Sequence, residues 1–242
     1  MILILSAMPE ELAAISASVD HPTIHRSAGR EITQGTISGH PVTLAFSRWG
    51  KVAAASTAAH LVTSLRPTQV VFTGIAGALR DDLSIGDVVF AKELFQHDLD
   101  ASPFFPPTHI PLLDRAGLST DHELTVGLRE ALLRAHGAQA PRAWIADIAT
   151  GDQVIGRPGQ RERVVAAVPS AACVEMEGAA VAQVCHDFEA PFACVRMISD
   201  RANESLSPSE VFALARRSGE YAAAMFREWL ATGGHGRNGR SG

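Results

Sequence analysis

The feature that most constrains this chain is the regular alternation of short apolar runs with longer segments of helical pattern. Ile2 to Leu5 is a continuous apolar run, which is typical of a strand buried on both faces of a sheet. Pro9 suits the first turn of a helix, and Glu10 and Glu11 then lie near the positive end of that helix. Because the alternation continues to about residue 230, we predict a single α/β domain with a mixed central sheet and helices on both faces.

The predicted elements follow one another without an internal repeat or a clear linker. Strands are predicted at residues 2–5, 31–39, 41–47, 69–73, 87–94, 144–150, 171–174 and 192–198, and helices from residue 9 and at 51–65, 121–136, 159–168, 176–186 and 207–230. We expect residues 74–77 to break the strand before them and Thr120 to cap the helix that follows it. Residues 97–119 contain four prolines and are predicted to form a long loop. One domain over 1–231 and a flexible Gly- and Arg-rich tail over 232–242 are therefore expected.

Composition excludes several classes of protein. Hydrophobic residues make up 46% of the chain and charged residues 19%, which indicates a globular core rather than disorder. The net charge of −5 and the aromatic content of 6% argue against a nucleic-acid binder. No apolar run reaches the roughly 18 residues that span a membrane. The apolar N-terminal segment lacks the basic residues with which a signal peptide begins. Three cysteines at no metal-like spacing favour a reducing compartment, so we expect a cytoplasmic protein.

Charged side chains cluster at the carboxyl ends of the predicted strands, where ligands gather in α/β sheets. Glu11 follows the first strand, Glu175 and Glu177 follow another, and Asp200 follows the strand that carries Arg196. Each acid has a simpler interpretation: complementing a helix dipole, capping a turn or facing solvent. Arg196 inside an apolar strand is harder to explain without a carboxylate partner. No Walker loop, G-x-G-x-x-G, G-x-S-x-G or zinc-type histidine spacing is present, so neither a metal nor a cofactor is expected.

Several segments together resemble one family. Residues 174–180 (VEMEGAA) and 195–200 (VRMISD) are similar to those of the 5′-methylthioadenosine/S-adenosylhomocysteine nucleosidases, which belong to the purine nucleoside phosphorylase superfamily. The resemblance continues in residues 6–11 (SAMPEE), 50–55 (GKVAAA), 73–77 (TGIAG), 86–89 (GDVV), 97–98 (HD) and 150–152 (TGD). It implies a three-layer domain with a partly barrel-like sheet, and hydrolysis of 5′-substituted adenosines to adenine and the substituted ribose.

The resemblance also implies roles for individual residues. Glu11 matches the glutamate that activates water, and Asp200 matches the aspartate that protonates N7 of the purine with help from Ser199. Arg196 matches an arginine close to the water and the acids. Glu177 matches the glutamate that grips the ribose hydroxyls. The remaining expected substrate contacts are Trp49, Ala76, Gly77, Val154, Ile155, Glu175 and Met176, together with Phe104, which in the family's homodimer reaches the neighbouring site.

The sequence departs from the family pattern around the substrate pocket. Ile75 stands where serine is frequent, Val154 where phenylalanine stacks on the base, and Trp49 where a smaller aliphatic residue is usual. No aromatic residue is evident for the 5′ group, because the local match is Ser209 with a one-residue gap. The 5′ substituent therefore stays open between methylthioadenosine, S-adenosylhomocysteine, 5′-deoxyadenosine and aminodeoxyfutalosine.

Two other functions compete with hydrolysis. A phosphorylase of the same fold would need cationic or hydroxyl groups for phosphate, whereas Glu11 would repel that anion. A non-catalytic nucleoside-binding module would not need the acid–base pair of Glu11 and Asp200. We expect a small-molecule nucleoside as ligand, no nucleic-acid or membrane partner, and a homodimer in which the apolar loop 101–111 is covered.

Overall fold

The computed structural model describes residues 1–203 and 206–233. The strands are β1 (Ile2–Ser6), β2 (Asp20–Ser27), β3 (Arg30–Ile37), β4 (His40–Phe46), β5 (Gln69–Ala78), β6 (Val88–Gln96), β7 (Gly117–Ser119), β8 (Ala143–Thr150), β9 (Ala171–Glu175) and β10 (Phe192–Asp200). The helices are α1 (Pro9–Ser16), α2 (Lys51–Leu65), α3 (His122–His136), α4 (Gln160–Ala167), α5 (Gly178–Asp187) and α6 (Pro208–Ala231), with a 3₁₀ turn at Gly137–Gln139. The predicted tail lies outside the described residues except for Thr232 and Gly233.

The strands form one mixed sheet that closes on itself at one end. The order is β10-β6-β8-β9-β5-β1-β4-β3-β2, and β10 also pairs with β5. Five strands (β5, β10, β6, β8 and β9) therefore form a closed ring, while β1, β4, β3 and β2 extend from it as an open sheet. Parallel pairs join β1 to β4 and β5, whereas β3 runs antiparallel to β4. The expected α/β class with a partly barrel-like sheet is confirmed.

Helices cover both faces of this sheet and bury two large apolar clusters. Helices α2 and α5 pack together on one face, around Leu61, Phe72 and Val181. Helices α1, α3 and α6 pack on the other, around Ile15, Phe226 and Trp229. Burying side chains of this size stabilises the fold by about 1.5–3 kcal/mol each. Because both faces are covered, ligands reach the sheet at the strand ends and not across its faces.

Local structure differs from the sequence prediction in four places. Strand β5 is not broken at Gly74 but continues to Ala78, because β10 pairs with it along this stretch. The cap of α3 is Asp121, whose carboxylate accepts a hydrogen bond from Leu124 N–H, and Thr120 instead donates its hydroxyl to the Ala91 carbonyl. Strand β2 was not predicted because its residues are largely exposed and show no apolar alternation. The short β7 lies inside the predicted loop and pairs with β6.

No helix among the described residues is long and apolar enough to cross a membrane.

Candidate active site

A cavity of about 320 Å³ opens where the carboxyl ends of several strands meet the start of α6. Its size falls at the lower end of the range for small-molecule sites. Most expected substrate contacts lie in its wall: Trp49, Ala76, Gly77, Val154, Ile155, Glu175, Met176 and Glu177, with Glu11, Ser199 and Asp200. The structure also adds residues that the sequence did not single out: Ala7, Met8, Gln153, Val174, Leu206, Pro208, Val211 and Phe212, with Ile75 beside them.

Glu11 lies in the first turn of α1, and its carboxylate is fixed by backbone donors. Oε2 accepts hydrogen bonds from Ala7 N–H at 3.0 Å and from Met8 N–H at 3.1 Å, which closes the N-terminus of the helix. Oε1 accepts from Ile75 N–H on β5 at 3.1 Å. Burial raises the pKa of Glu11, although Arg196 and these three donors oppose the rise. Glu11 thus lies at the positive end of the helix, where its charge complements the helix dipole, but the same carboxylate also lines the cavity and has a basicity suited to accepting a proton.

Glu175 and Arg196 form a fully buried ion pair beside Glu11. Arg196 Nη2 donates to Glu175 Oε2 at 2.5 Å, and the guanidinium lies over the Phe72 ring at 4.3 Å. Glu175 also accepts hydrogen bonds from the Thr150 hydroxyl and from two backbone N–H groups at the start of α5. Glu175 is thus the carboxylate partner that the sequence analysis expected for Arg196. Since protein groups occupy both oxygens of Glu175, this residue supports the site rather than offering an oxygen to a ligand.

Glu177 lies just before α5, with its side chain in the cavity wall and only 6% exposed. Its Oε1 accepts a hydrogen bond from Gly50 N–H at 2.8 Å. Burial, together with the negative charge of Glu175, raises the pKa of Glu177 to about 8, while Arg196 and the Gly50 donor oppose this rise. We call Glu11, Glu175 and Glu177, together with Arg196 behind them, the floor of the cavity.

Asp200 ends β10, and its carboxyl lies beside Gly77 of β5, three residues along that strand from the glycine beside Glu11. Its Oδ2 accepts a hydrogen bond from the Ser199 hydroxyl at 2.6 Å, and Oδ1 accepts from Ala202 N–H at 2.7 Å. The Ser199 hydroxyl also lies 3.2 Å from the Ala76 carbonyl. These contacts fix the carboxyl at the cavity wall. The structure thus places Ser199 where it orients Asp200, as the resemblance implies.

Two glycines of β5 make room for the two acids. A Cβ on Gly74 would lie 2.5 Å from Glu11 Oε1 and 2.9 Å from Arg196 Nη1. A Cβ on Gly77 would lie 2.8 Å from Asp200 Oδ1. Three residues of strand span roughly 10 Å, so the two carboxyls approach β5 at points separated by about the length of a sugar ring and its base.

The opening of the cavity is formed by apolar side chains that solvent still reaches. Trp49 is 53% exposed, Val154 66% and Phe212 37%. We call these three residues the rim. Phe212 is an aromatic residue of the cavity wall that the sequence analysis did not identify. Helix α6 begins at Pro208, so residues 208, 211 and 212 lie on one face and line the cavity, whereas Ser209 does not line it and hydrogen-bonds to Ser207.

Phe104 does not line the cavity of its own chain. It lies in the loop between β6 and β7, and its side chain is 85% exposed. The reach of Phe104 into a neighbouring subunit stays a prediction.

Comparison with known proteins places this geometry in a family. A family model described as the phosphorylase superfamily matches residues 1–231. The chain is 33% identical over 222 residues to a 5′-methylthioadenosine/S-adenosylhomocysteine nucleosidase of Shewanella pealeana, a match that covers 92% of this chain and 95% of the relative.

Two solved structures are similar over almost the whole chain. One is the 5′-methylthioadenosine/S-adenosylhomocysteine nucleosidase from Neisseria meningitidis in complex with methylthio-immucillin-A, with a TM-score of 0.88, 27% identity, and coverage of 96% of this chain and 98% of that one. The other is the futalosine hydrolase of Helicobacter pylori, with a TM-score of 0.85, 31% identity, and coverage of 96% and 97%.

The chain therefore belongs to the phosphorylase superfamily. Within that superfamily, the chain belongs to the family of 5′-methylthioadenosine/S-adenosylhomocysteine nucleosidases.

Proposed function

We propose that the protein hydrolyses the N-glycosidic bond of 5′-substituted adenosines and releases adenine and the substituted ribose. The observation that carries this proposal is that Glu11, Glu177 and Asp200 line one cavity, with Glu11 beside Gly74 and Asp200 beside Gly77 of β5. Cleavage of this bond produces a cationic, oxocarbenium-like sugar and an anionic base. A site that catalyses this cleavage needs a proton donor next to the purine, a group that accepts a proton from water, and negative charge near the sugar.

Each acid suits one of these tasks. Asp200 passes a proton to N7 of the departing purine, with the Ser199 hydroxyl orienting its carboxyl. Glu11 removes a proton from the water that attacks C1′, since its raised pKa makes it a better base than an exposed glutamate. Glu177 accepts hydrogen bonds from the ribose hydroxyls, which favour its ionised form. Met176 lies beneath the sugar, and the backbone of residues 154–155 reads the adenine edge.

The groups around Glu11 favour water over phosphate as the nucleophile. Among residues 1–203 and 206–233, no lysine or arginine lines the cavity. Arg196 lies behind the wall and is already paired with Glu175. Ala7, Met8 and Ile75, which neighbour Glu11, carry no hydroxyl or cationic side chain for an anion. Phosphate next to the Glu11 carboxylate would be repelled.

The test is adenine release from 5′-methylthioadenosine in phosphate-free buffer, followed by chromatography. We expect turnover that added phosphate does not increase. Strict dependence on phosphate would establish a phosphorylase instead, and tight nucleoside binding by calorimetry without turnover would establish a binding module. A panel of adenosines that differ only at the 5′ position, including futalosine-type substrates, then defines the preferred substituent.

We also propose a homodimer in the cytoplasm. Large apolar side chains stand exposed at the start of α2 and in the loop between β6 and β7: Val52 is 81% exposed, Phe104 85% and Leu112 95%. A partner covering this surface would bring Phe104 towards a second cavity. Sedimentation is expected to show a dimer that Phe104→Ser weakens. The free, buried thiols of Cys173, Cys185 and Cys194 suit a reducing compartment, which subcellular fractionation would test.

A further inference from the structure

A closed set of hydrogen bonds lies behind the cavity and joins three segments that are distant in sequence. Lys51 Nζ donates to Asp98 Oδ1 at 2.6 Å and to Gln96 Oε1 at 3.2 Å. Asp98 Oδ2 accepts from Asp152 N–H at 2.9 Å, and Asp152 Oδ1 accepts from Lys51 N–H at 2.8 Å. We call Lys51, Asp98 and Asp152 the bridge. It connects the start of α2, the end of β6 and the segment after β8.

Two side chains of the bridge are partly shielded from solvent, whereas Asp152 is exposed. The side chains of Lys51 and Asp98 are 18% and 23% exposed. Burial raises the pKa of Asp98, but the hydrogen bonds from Lys51 and Asp152, with the charge of Lys51, outweigh burial and lower the pKa. Asp98 therefore stays ionised in the neutral range and keeps both of its donors.

Gly50 links the bridge to the floor. Its φ of 90° is in the left-handed region, and a Cβ there would lie 3.0 Å from Asp152 Oδ1. In this conformation, Gly50 N–H donates to Glu177 Oε1 at 2.8 Å. Two successive N–H groups thus have separate acceptors: that of Gly50 is bound by Glu177 and that of Lys51 by Asp152.

We propose that Asp152 is a positioning residue for the reaction, because it holds the 50–51 backbone so that Gly50 N–H orients the Glu177 carboxylate towards the ribose. This inference rests on the proposed function. A carboxylate has about four lone-pair positions. With one of them bound by Gly50, the carboxylate cannot rotate freely, and the remaining positions face the sugar hydroxyls. Asp152 itself does not line the cavity, so it acts through Glu177.

The first experiment compares three variants of the full-length protein in steady-state adenine release. Asp152→Ala removes the acceptor for Lys51 N–H and is expected to raise KM about tenfold with kcat changed less than about threefold, because ribose binding is weakened while the acid and the base remain. Asp152→Asn keeps an acceptor oxygen and is expected to restore most of the affinity. Asp82→Ala, which breaks an exposed ion pair with Arg80 far from the cavity, is the matched control.

A double-mutant cycle with Glu177→Ala separates positioning from a general structural role. If Asp152 acts through Glu177, Asp152→Ala has little further effect once Glu177 is gone. An effect of the same size in both backgrounds, or a wild-type KM in Asp152→Ala, would overturn the proposal. If Asp152→Ala does not fold, Asp98→Asn takes its place. This variant weakens the hydrogen bonds of Asp98 with Lys51 and Asp152 and is expected to give a smaller rise in KM.

Failure of the proposed function would be recognised separately. The wild-type protein is assayed first, and absence of adenine release would refute the hydrolase assignment. Calorimetric titration with 5′-methylthioadenosine then still reports whether Asp152→Ala weakens nucleoside binding and whether that loss depends on Glu177. Unchanged affinity in that titration would reject the positioning role whatever the reaction is.

Discussion

The floor and the rim of the cavity differ in how firmly the fold holds them. Floor side chains are buried, and the three carboxylates accept hydrogen bonds from Arg196 or from backbone N–H groups just before α1 and α2, in β5 and at the start of α5. Rim side chains are apolar, partly exposed, and positioned by a loop or by the first turns of α6. Rigid, preorganised charge is what bond cleavage requires, whereas an adaptable apolar opening suits contact with a variable substituent. The contrast teaches that the reaction and the substrate preference are set by different parts of one cavity.

The largest expected effect comes from the acid on the cavity wall. Asp200→Asn is expected to lower kcat by at least about 10²-fold while nucleoside binding largely survives, because the departing base loses its proton donor. Adenine release and calorimetric affinity measured side by side would check this. A near-wild-type rate would remove Asp200 from the mechanism.

Glu11→Gln applies the same test to the floor. We expect kcat to fall by about 10²- to 10³-fold, since the amide cannot accept a proton from water. Its oxygen can still accept backbone hydrogen bonds, so α1 should remain capped and Tm should change little. Glu10→Gln, one residue earlier in the same helix turn and outside the cavity, is the control. Equal activity of the two variants would contradict the role of Glu11.

Breaking the buried ion pair should affect stability more than any change at the rim. Arg196→Met leaves Glu175 as an unpaired buried charge, and we expect the free energy of unfolding to fall by about 3–5 kcal/mol in urea denaturation. Adding Glu175→Gln should recover part of this loss, because the uncompensated charge is then removed. If the double variant is as unstable as the two single losses combined, the pair is not coupled as the geometry indicates.

At the rim, Phe212→Ala should change substrate preference rather than the reaction. We expect KM to rise about threefold to tenfold for substrates with an apolar 5′ group, and much less for adenosine, because only the contact with the substituent is lost. Ser209→Ala, three residues earlier in α6 and outside the cavity lining, should match the wild type. A uniform effect across all 5′ groups would show that Phe212 serves the fold instead.

The raised pKa of Glu177 makes the stability of the folded protein depend on pH. The pKa of Glu177 is raised from 4.5 to about 8 by burial and by Glu175, so the folded protein keeps a proton that the unfolded chain releases. Stability from this group is present below pH 4.5 and is lost as pH rises towards about 8. Glu177→Gln should flatten this decline in urea denaturation across the same range. Parallel curves for both proteins would count against the raised pKa.

The sequence predicted the floor better than the rim, for a physical reason. Glu11, Glu177 and Asp200 lie at strand ends, and strand ends can be read from apolar runs, so their meeting at one cavity follows from topology. The helix at Lys51–Leu65 also agrees with its predicted range. The role of Glu175 could not be read this way, because its donors come from three separate segments and only the fold brings them together.

Phe212 was missed because its place in the cavity wall depends on which face of α6 points inwards and not on a sequence motif. The signal was nevertheless present: Ser207 and Pro208 mark the helix start, and Pro208, Val211 and Phe212 follow the i, i+3, i+4 spacing of one face. The sequence analysis matched only Ser209 to the family pattern and therefore overlooked the face formed by these three residues. Counting from the cap would have identified the aromatic residue.

The two glycines of β5 limit how the protein can be changed. Any side chain at residue 74 or 77 would displace an acid from its place, so a mutational library that included these positions would consist largely of inactive variants. Engineering a new nucleoside preference should instead vary residues 206–212, where space is open and the chemistry is untouched. In this protein, the absence of side chains at two positions fixes where the reaction takes place.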